Sequence, residues 1–223
     1  MADWLCDIVT GSIIGSLPRQ QSDSTAGEED ELASGSYSDV KYPLPGSNSL
    51  TRDTAIPHTR STIHPSPPPV PEGFESAGSG RIVTFDSAQP VQPLIDRIGR
   101  AAGNPAALSI AIPQSASLST LHVRTVGVCP GSGSGVLMKS SPLPDLLLTG
   151  ELSHHEALAA TERGSVVITL FHSNTERGYL SDVMRRLLTS VIREDEEPRS
   201  GDGFAVDVSA SDRDPYGIVV LQR

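Results

Sequence analysis

Asp145-Leu146-Leu147-Leu148-Thr149-Gly150-Glu151-Leu152-Ser153-His154-His155-Glu156 decides the fold of this chain. Leu146 to Leu148 form an unbroken apolar run in a short strand, the pattern of a strand buried on both faces. Ser153 and Glu156 then have the spacing of a capping box, so a helix is expected to start there and run to Arg163, with Gly164 ending it. Val166-Val167-Ile168-Thr169-Leu170-Phe171 is a second strand of the buried type. After it, Leu180, Val183, Met184, Leu187, Leu188, Val191 and Ile192 recur at helical spacing and predict one long amphipathic helix, ended by the acidic stretch Glu194 to Pro198.

The same grammar holds further out. Upstream, Arg81 to Phe85, Leu108 to Ile112 and Leu121 to Val128 read as strands, and Val91 to Ala102 reads as a helix stopped by Gly103. A glycine-rich turn, Pro130 to Gly135, leads into Val136-Leu137-Met138. Downstream, Phe204, Val206 and Val208 alternate, and Gly217 to Leu221 is expected to close the chain as a strand. Strands alternating with helices predict an α/β fold, or mixed α+β layers.

Residues 1–78 have a different composition. Nine of the chain's 18 prolines fall there, beside polar and acidic runs such as Gly27-Glu28-Glu29-Asp30-Glu31. Such a segment is expected to be mostly disordered, because it lacks the apolar area to offset the entropy of ordering. Its exception is a short apolar patch at 4–14, a helix that would need a partner surface. Residues 79–223 are expected to hold the α/β domain.

Composition narrows the function classes. A formal net charge of -10 over 223 residues argues against nucleic acid as a partner, since phosphate neutralisation needs clustered Lys and Arg. No apolar run reaches the roughly 20 residues that span a bilayer, so no membrane role is expected. Two cysteines, Cys6 and Cys129, cannot build a disulfide framework or a four-cysteine zinc site, which points to a reducing compartment. The N-terminus has neither a secretory pattern nor an Arg-rich transit pattern. The expected location is cytoplasmic, with the nucleus and mitochondria as alternatives.

The candidate chemistry gathers where buried strands end, which is where open α/β sheets bind ligands. His172 and Glu176 lead: the first would end a strand and the second lie in the next helical turn, so both can face one point beyond the sheet edge. Imidazole nitrogen and carboxylate oxygen suit zinc, manganese or iron. Spacing leaves a second reading open and favours it: Ser173-Asn174-Thr175-Glu176 is also a capping box, in which Glu176 would hold the Ser173 N–H. His155 and Glu151 are further cleft candidates. Gly131, Gly133 and Gly135 could present backbone N–H groups to an anion, although a tight turn is the plainer reading. Cys129 reads as a small buried residue, and Asp212-Arg213-Asp214-Pro215 as a turn.

Three phrases together resemble the Nif three-like family, often labelled GTP cyclohydrolase I type 2 homologues. They are Gly127 to Gly135, Thr149 to Leu158, and His172-Ser173-Asn174-Thr175-Glu176-Arg177-Gly178. The wording is closest to eukaryotic, fungal members, and the resemblance covers about residues 72 to 221 plus Trp4 to Gly11. It implies an α/β fold, homo-oligomers, and a pair of divalent metal ions. The ligands would be a His-His-Pro motif, a mid-chain Asp, and a final His and Glu that correspond to His172 and Glu176. His155 matches a position often held by His. This chain has no His-His-Pro. The resemblance therefore implies a truncated form or a misplaced start, with weak or no metal binding in the chain as it stands. It also implies metal-dependent hydrolase chemistry, or alternatively a non-enzymatic protein that binds partners associated with transcription.

Overall fold

The computed structural model describes residues 1–11, 55–101, 107–195, 204–211 and 214–216. Among them, six strands form one mixed sheet: β1 His58–Pro65, β2 Gly78–Pro90, β3 Ser109–Ala111, β4 His122–Ser132, β5 Leu146–Glu151 and β6 Val166–Thr169. Their order in space is β1-β2-β4-β5-β6-β3. The central pairs β4–β5 and β5–β6 are parallel, and β1–β2, β2–β4 and β3–β6 are antiparallel. The helices are α1 Ala2–Thr10, α2 Val91–Ala101, α3 Ser134–Leu137, α4 His154–Glu162, α5 Arg177–Tyr179 and α6 Arg185–Asp195. No described helix is long and apolar enough to cross a membrane. The mixed α/β architecture is the one the sequence predicts.

β5 shows why the apolar run was decisive. Leu146 and Leu148 point into one core, beside Val126 and Val128 of β4, Val166 and Ile168 of β6, and α1. Leu147 points to the opposite face, where it joins Cys129, Leu137, Ala160 and Val167 beneath α3 and α4. A strand alternates its side chains between two faces, so a strand covered on both sides must be apolar throughout.

The structure departs from the expectation for residues 1–78 at one place. His58–Pro65 is a strand, paired with β2 from His58↔Phe85 to Pro65↔Gly78. It lies at the sheet edge with none of its residues fully buried, so it carries no apolar run. The apolar patch begins as α1, in which Trp4 to Thr10 are all buried. Residues 12–54, including the rest of that patch, lie outside the described residues. Arginines tie α1 to the sheet. Arg60 of β1 pairs with Asp7 at 2.7 Å and donates to the Asp3 carbonyl and the Thr10 hydroxyl. Arg81 of β2 grips both Asp3 oxygens, at 2.8 and 2.9 Å. A planar guanidinium matched to a carboxylate in this way fixes orientation as well as position.

The long helix is also broken up. A 3-10 turn at Ser173–Thr175 precedes α5, a π-turn at Leu180–Met184 follows it, and only then does α6 begin. The stripe divides accordingly. Val183 is buried and Leu187 partly buried against the core, whereas Met184, Leu188 and Val191 are exposed. Residues 204–209 do not form a strand. Gly103, the acidic stop from residue 196 onward and the closing strand at 217–221 lie outside the described residues.

Candidate functional site

The candidate site sits where β4, β5 and β6 end together. The parallel register, Val128↔Leu148 and Cys129↔Thr149 on one side and Thr149↔Thr169 on the other, brings three strand ends side by side. After β6 the chain turns sharply at Phe171, which has a positive φ of 67°. His172 therefore faces back across the end of β5.

There, His172 Nδ1 lies 2.7 Å from Glu151 Oε1. On the far side of the ring, Nε2 lies 3.8 Å from Glu176 Oε1. With Nδ1–H donating to Glu151, the neutral ring keeps its lone pair on Nε2, towards Glu176. This is the arrangement by which a carboxylate fixes the tautomer of a metal-ligating histidine. The hydrogen bond to Glu151 raises the imidazole pKa above its ordinary value. Slight desolvation opposes it, and the charges of Glu176, Glu151 and Asp214 reinforce it.

Glycines make room for this contact. A Cβ on Gly131 would stand 2.9 Å from His172 Nε2 and 3.0 Å from Glu176 Oε1. It would fill the gap between the two donors. One on Gly150 would stand 2.7 Å from the Gly131 carbonyl oxygen and 2.8 Å from His172 Cα. Three backbone segments thus meet at van der Waals distance because two residues lack side chains.

Two buried threonines hold the Gly131 backbone. Thr175 Oγ1 accepts the Gly131 N–H at 2.7 Å and donates to the His172 carbonyl at 2.7 Å. Thr149 Oγ1 donates to the Gly131 carbonyl at 3.0 Å. Thr175 thus links the turn to both candidate ligands, a role that a lone Thr in a turn does not advertise in sequence. Thr175→Val, nearly isosteric, leaves the Gly131 N–H buried without an acceptor. Its expected cost is about 1–3 kcal/mol in urea denaturation, and Thr175→Ser should recover most of it.

The predicted residues are not all brought together. Glu151, His172, Glu176 and Gly131 meet. Gly133 is buried against Thr149, while Gly135 is exposed and a Cβ added there would meet nothing within 4 Å. The Gly131 N–H is used by Thr175 and the Gly133 N–H faces the Glu151 carbonyl at 3.4 Å. Those two amides are therefore committed within the protein rather than turned towards an anion. His155 is exposed on the first turn of α4, its ring edge-on to His154 at 5.5 Å. Burial pushes the Cys6 thiol up to about 12 and raises that of Cys129, so neither offers a ready thiolate.

The two Ser-x-x-Glu motifs behave differently. Ser153 and Glu156 form the predicted capping box, with the Ser153 N–H donating to Glu156 Oε2 at 2.9 Å. Glu156 also accepts from Ser134 and so ties α4 to the glycine turn. Ser173 and Glu176 do not close a box. The Ser173 N–H goes instead to Asp214 Oδ2 at 3.2 Å, which corrects the capping reading of Glu176. Asp214, forty-one residues after Ser173 and read from sequence only as part of a turn, is a site residue that no local pattern reveals. Among the described residues, no group of three or more His, Cys, Asp or Glu is placed to hold a metal ion. Glu151 approaches the wrong ring nitrogen to share an ion with Glu176.

Comparison with known proteins agrees with the fold. The chain is 38% identical over 141 residues to NGG1-interacting factor 3 of Saccharomyces cerevisiae, covering 63% of this chain and 45% of that protein. It is 38% identical over 142 residues to human NIF3-like protein 1, covering 64% of this chain and 34% of that one. The chain thus spans less than half the length of these relatives. Among solved structures, a Bacillus cereus protein related to NIF3 superposes with a TM-score of 0.51 at 18% identity, over 65% of this chain and 36% of that one. Residues 2–197 match the family described as Duf34/NIF3 (NGG1p interacting factor 3), and with so much of its length matched the chain belongs to that family.

Proposed function

We propose that this chain carries half of a divalent-metal centre, with His172 Nε2 and the Glu176 carboxylate as ligands and Glu151 as the group that orients the imidazole. The observation that carries this reading is the 3.8 Å approach of Nε2 to Glu176 Oε1, across a gap that only a glycine at 131 leaves open. Nitrogen and oxygen donors bind zinc at about 2.0–2.2 Å. Two donors on one ion can therefore be no more than about 4.3 Å apart, and this pair meets that limit.

The donor set suits zinc, manganese or iron. Stable sites use three or four protein ligands, so two give weak affinity. A divalent ion held here would supply Lewis-acid polarisation for hydrolysis of a phosphoester or nucleotide. The chain's own part is to present Nε2 unprotonated, through Glu151, and to hold Glu176 beside it. Calorimetric titration with Zn²⁺ or Mn²⁺ should show weak binding that His172→Ala and Glu176→Ala each remove. Binding in either variant as strong as in the unaltered chain would overturn the assignment.

A second reading, a protein-interaction role without catalysis, is favoured by one structural feature. Met184 at the end of the π-turn and Leu188 and Val191 of α6 recur at i, i+4 and i+7 and stand exposed. The yeast relative is named for interaction with NGG1. Binding to NGG1 that survives loss of His172 and Glu176, and fails when Leu188 and Val191 become charged, would support it.

A further inference from the structure

The chain contains an internal control for its own site. Ser153-His154-His155-Glu156 and Ser173-Asn174-Thr175-Glu176 are the same motif, and both glutamates could take the N–H of the serine three residues before. Glu156 does so. Glu176 makes no such bond and faces His172 instead.

Two things differ: Ser153 is an extended N-cap residue whereas Ser173 is already the first residue of a 3-10 turn, and a second acceptor reaches the Ser173 N–H. At Ser173 the acceptor is Asp214 Oδ2, at 3.2 Å, with the other Asp214 oxygen held at 3.1 Å by the Tyr216 N–H of its own turn. The carboxylate is thus braced from its own side and delivered to the start of the turn. A helical or 3-10 turn begins with unsatisfied N–H groups, and one acceptor per N–H is enough. Once Asp214 fills that role, Glu176 gains nothing by folding back.

We infer that Asp214 is a positioning residue of the His172–Glu176 pair: by taking the Ser173 N–H, it keeps the Glu176 carboxylate off its own turn and free to face the imidazole. The inference deepens the metal-site reading and rests on it for its functional meaning, but the competition for the Ser173 N–H is testable without metal. Asp214 touches no ligand itself. Its effect runs through Glu176.

Two measurements on the full chain separate the possibilities. In metal-free protein, hydrogen exchange at the Ser173 amide is followed by NMR. Asp214→Ala should leave this amide protected, now through Glu176, and the double variant Asp214→Ala/Glu176→Ala should expose it to fast exchange. Asp214→Asn keeps one acceptor oxygen, which can take the Ser173 N–H only by giving up the Tyr216 N–H, so the Ser173 amide should stay protected while the brace from Tyr216 is lost. With zinc alone as probe, Asp214→Ala should weaken binding about 10-fold or more, the loss expected when an outer partner of a metal ligand is removed. Asp214→Asn, which can still accept the Ser173 N–H, should lose less than Asp214→Ala.

Fast Ser173 exchange in Asp214→Ala with Glu176 still present would overturn the inference, because Glu176 would not have competed for the N–H. So would unchanged zinc affinity in Asp214→Ala while His172→Ala abolishes binding. If His172→Ala leaves zinc binding intact, the metal reading fails instead, and the amide experiment still decides the role of Asp214.

Discussion

Gly131→Ala is expected to remove the divalent-metal affinity of this chain while leaving it folded. Gly131 has a φ of 64°, and an alanine there pays about 1–2 kcal/mol for the left-handed conformation. Its Cβ would also press on His172 Nε2 and Glu176 Oε1, which are side-chain atoms at an exposed rim and can move aside. That movement relieves most of the clash, so the cost in stability stays near the conformational term. The same movement separates the two donors that must share one ion. The loss in zinc affinity should reach about 10–100-fold, comparable to losing an outer partner of a metal ligand. Gly135→Ala is the control: the added Cβ would meet nothing within 4 Å, and neither stability nor affinity should change much. Equal losses in both variants would mean that the gap at Gly131 has no special place in the site.

The largest expected effect on stability lies far away in sequence. Trp4 is 3% exposed, packs edge-on against Tyr179 with ring centroids 6.4 Å apart, and covers Gly178 so closely that a Cβ there would be 2.5 Å from its ring. Trp4→Ala should cost about 3–5 kcal/mol, because the void opens between a buried helix and the segment just after Glu176. Against a total of about 5–15 kcal/mol for a typical domain, that is a large share. Urea denaturation measures it directly. A cost below about 1 kcal/mol would mean that α1 is an appendage rather than part of the folding unit. The variant should also loosen the turn that carries Glu176, since Gly178 is two residues further on.

How much of this was legible depends on how local each signal was. Leu146 to Leu148 could be read as a doubly covered strand because burial on both faces leaves its mark residue by residue. The Ser153–Glu156 box could be read because its two partners are three residues apart. β1 could not be read in this way. An edge strand such as His58–Pro65 needs few apolar side chains, and the prolines around it carry the composition of a disordered segment. The long helix was legible as an apolar stripe, but not its π-turn, which depends on tertiary packing.

The site divides along the same line. His172 and Glu176 were visible as neighbours in sequence at a strand end. Their pairing against the capping alternative was not, because it turns on Asp214, forty-one residues downstream. The Glu151–His172 contact requires the parallel register of β5 and β6, and a single sequence does not state which strand ends lie side by side. Thr149 and Thr175 act on the backbone of Gly131, and hydroxyls in such roles look like any other turn or strand residue until the chain is folded.

The metal site turns on one nitrogen atom, His172 Nε2. Long-range proton–nitrogen correlation NMR of the ¹⁵N-labelled chain, during titration with zinc, reports both ring nitrogens of His172 separately. Nε2 should shift with added zinc while Nδ1 stays protonated and bonded to Glu151, and the response should disappear in Glu176→Ala. A response at Nδ1, or none at His172 while zinc binds elsewhere, would contradict this assignment.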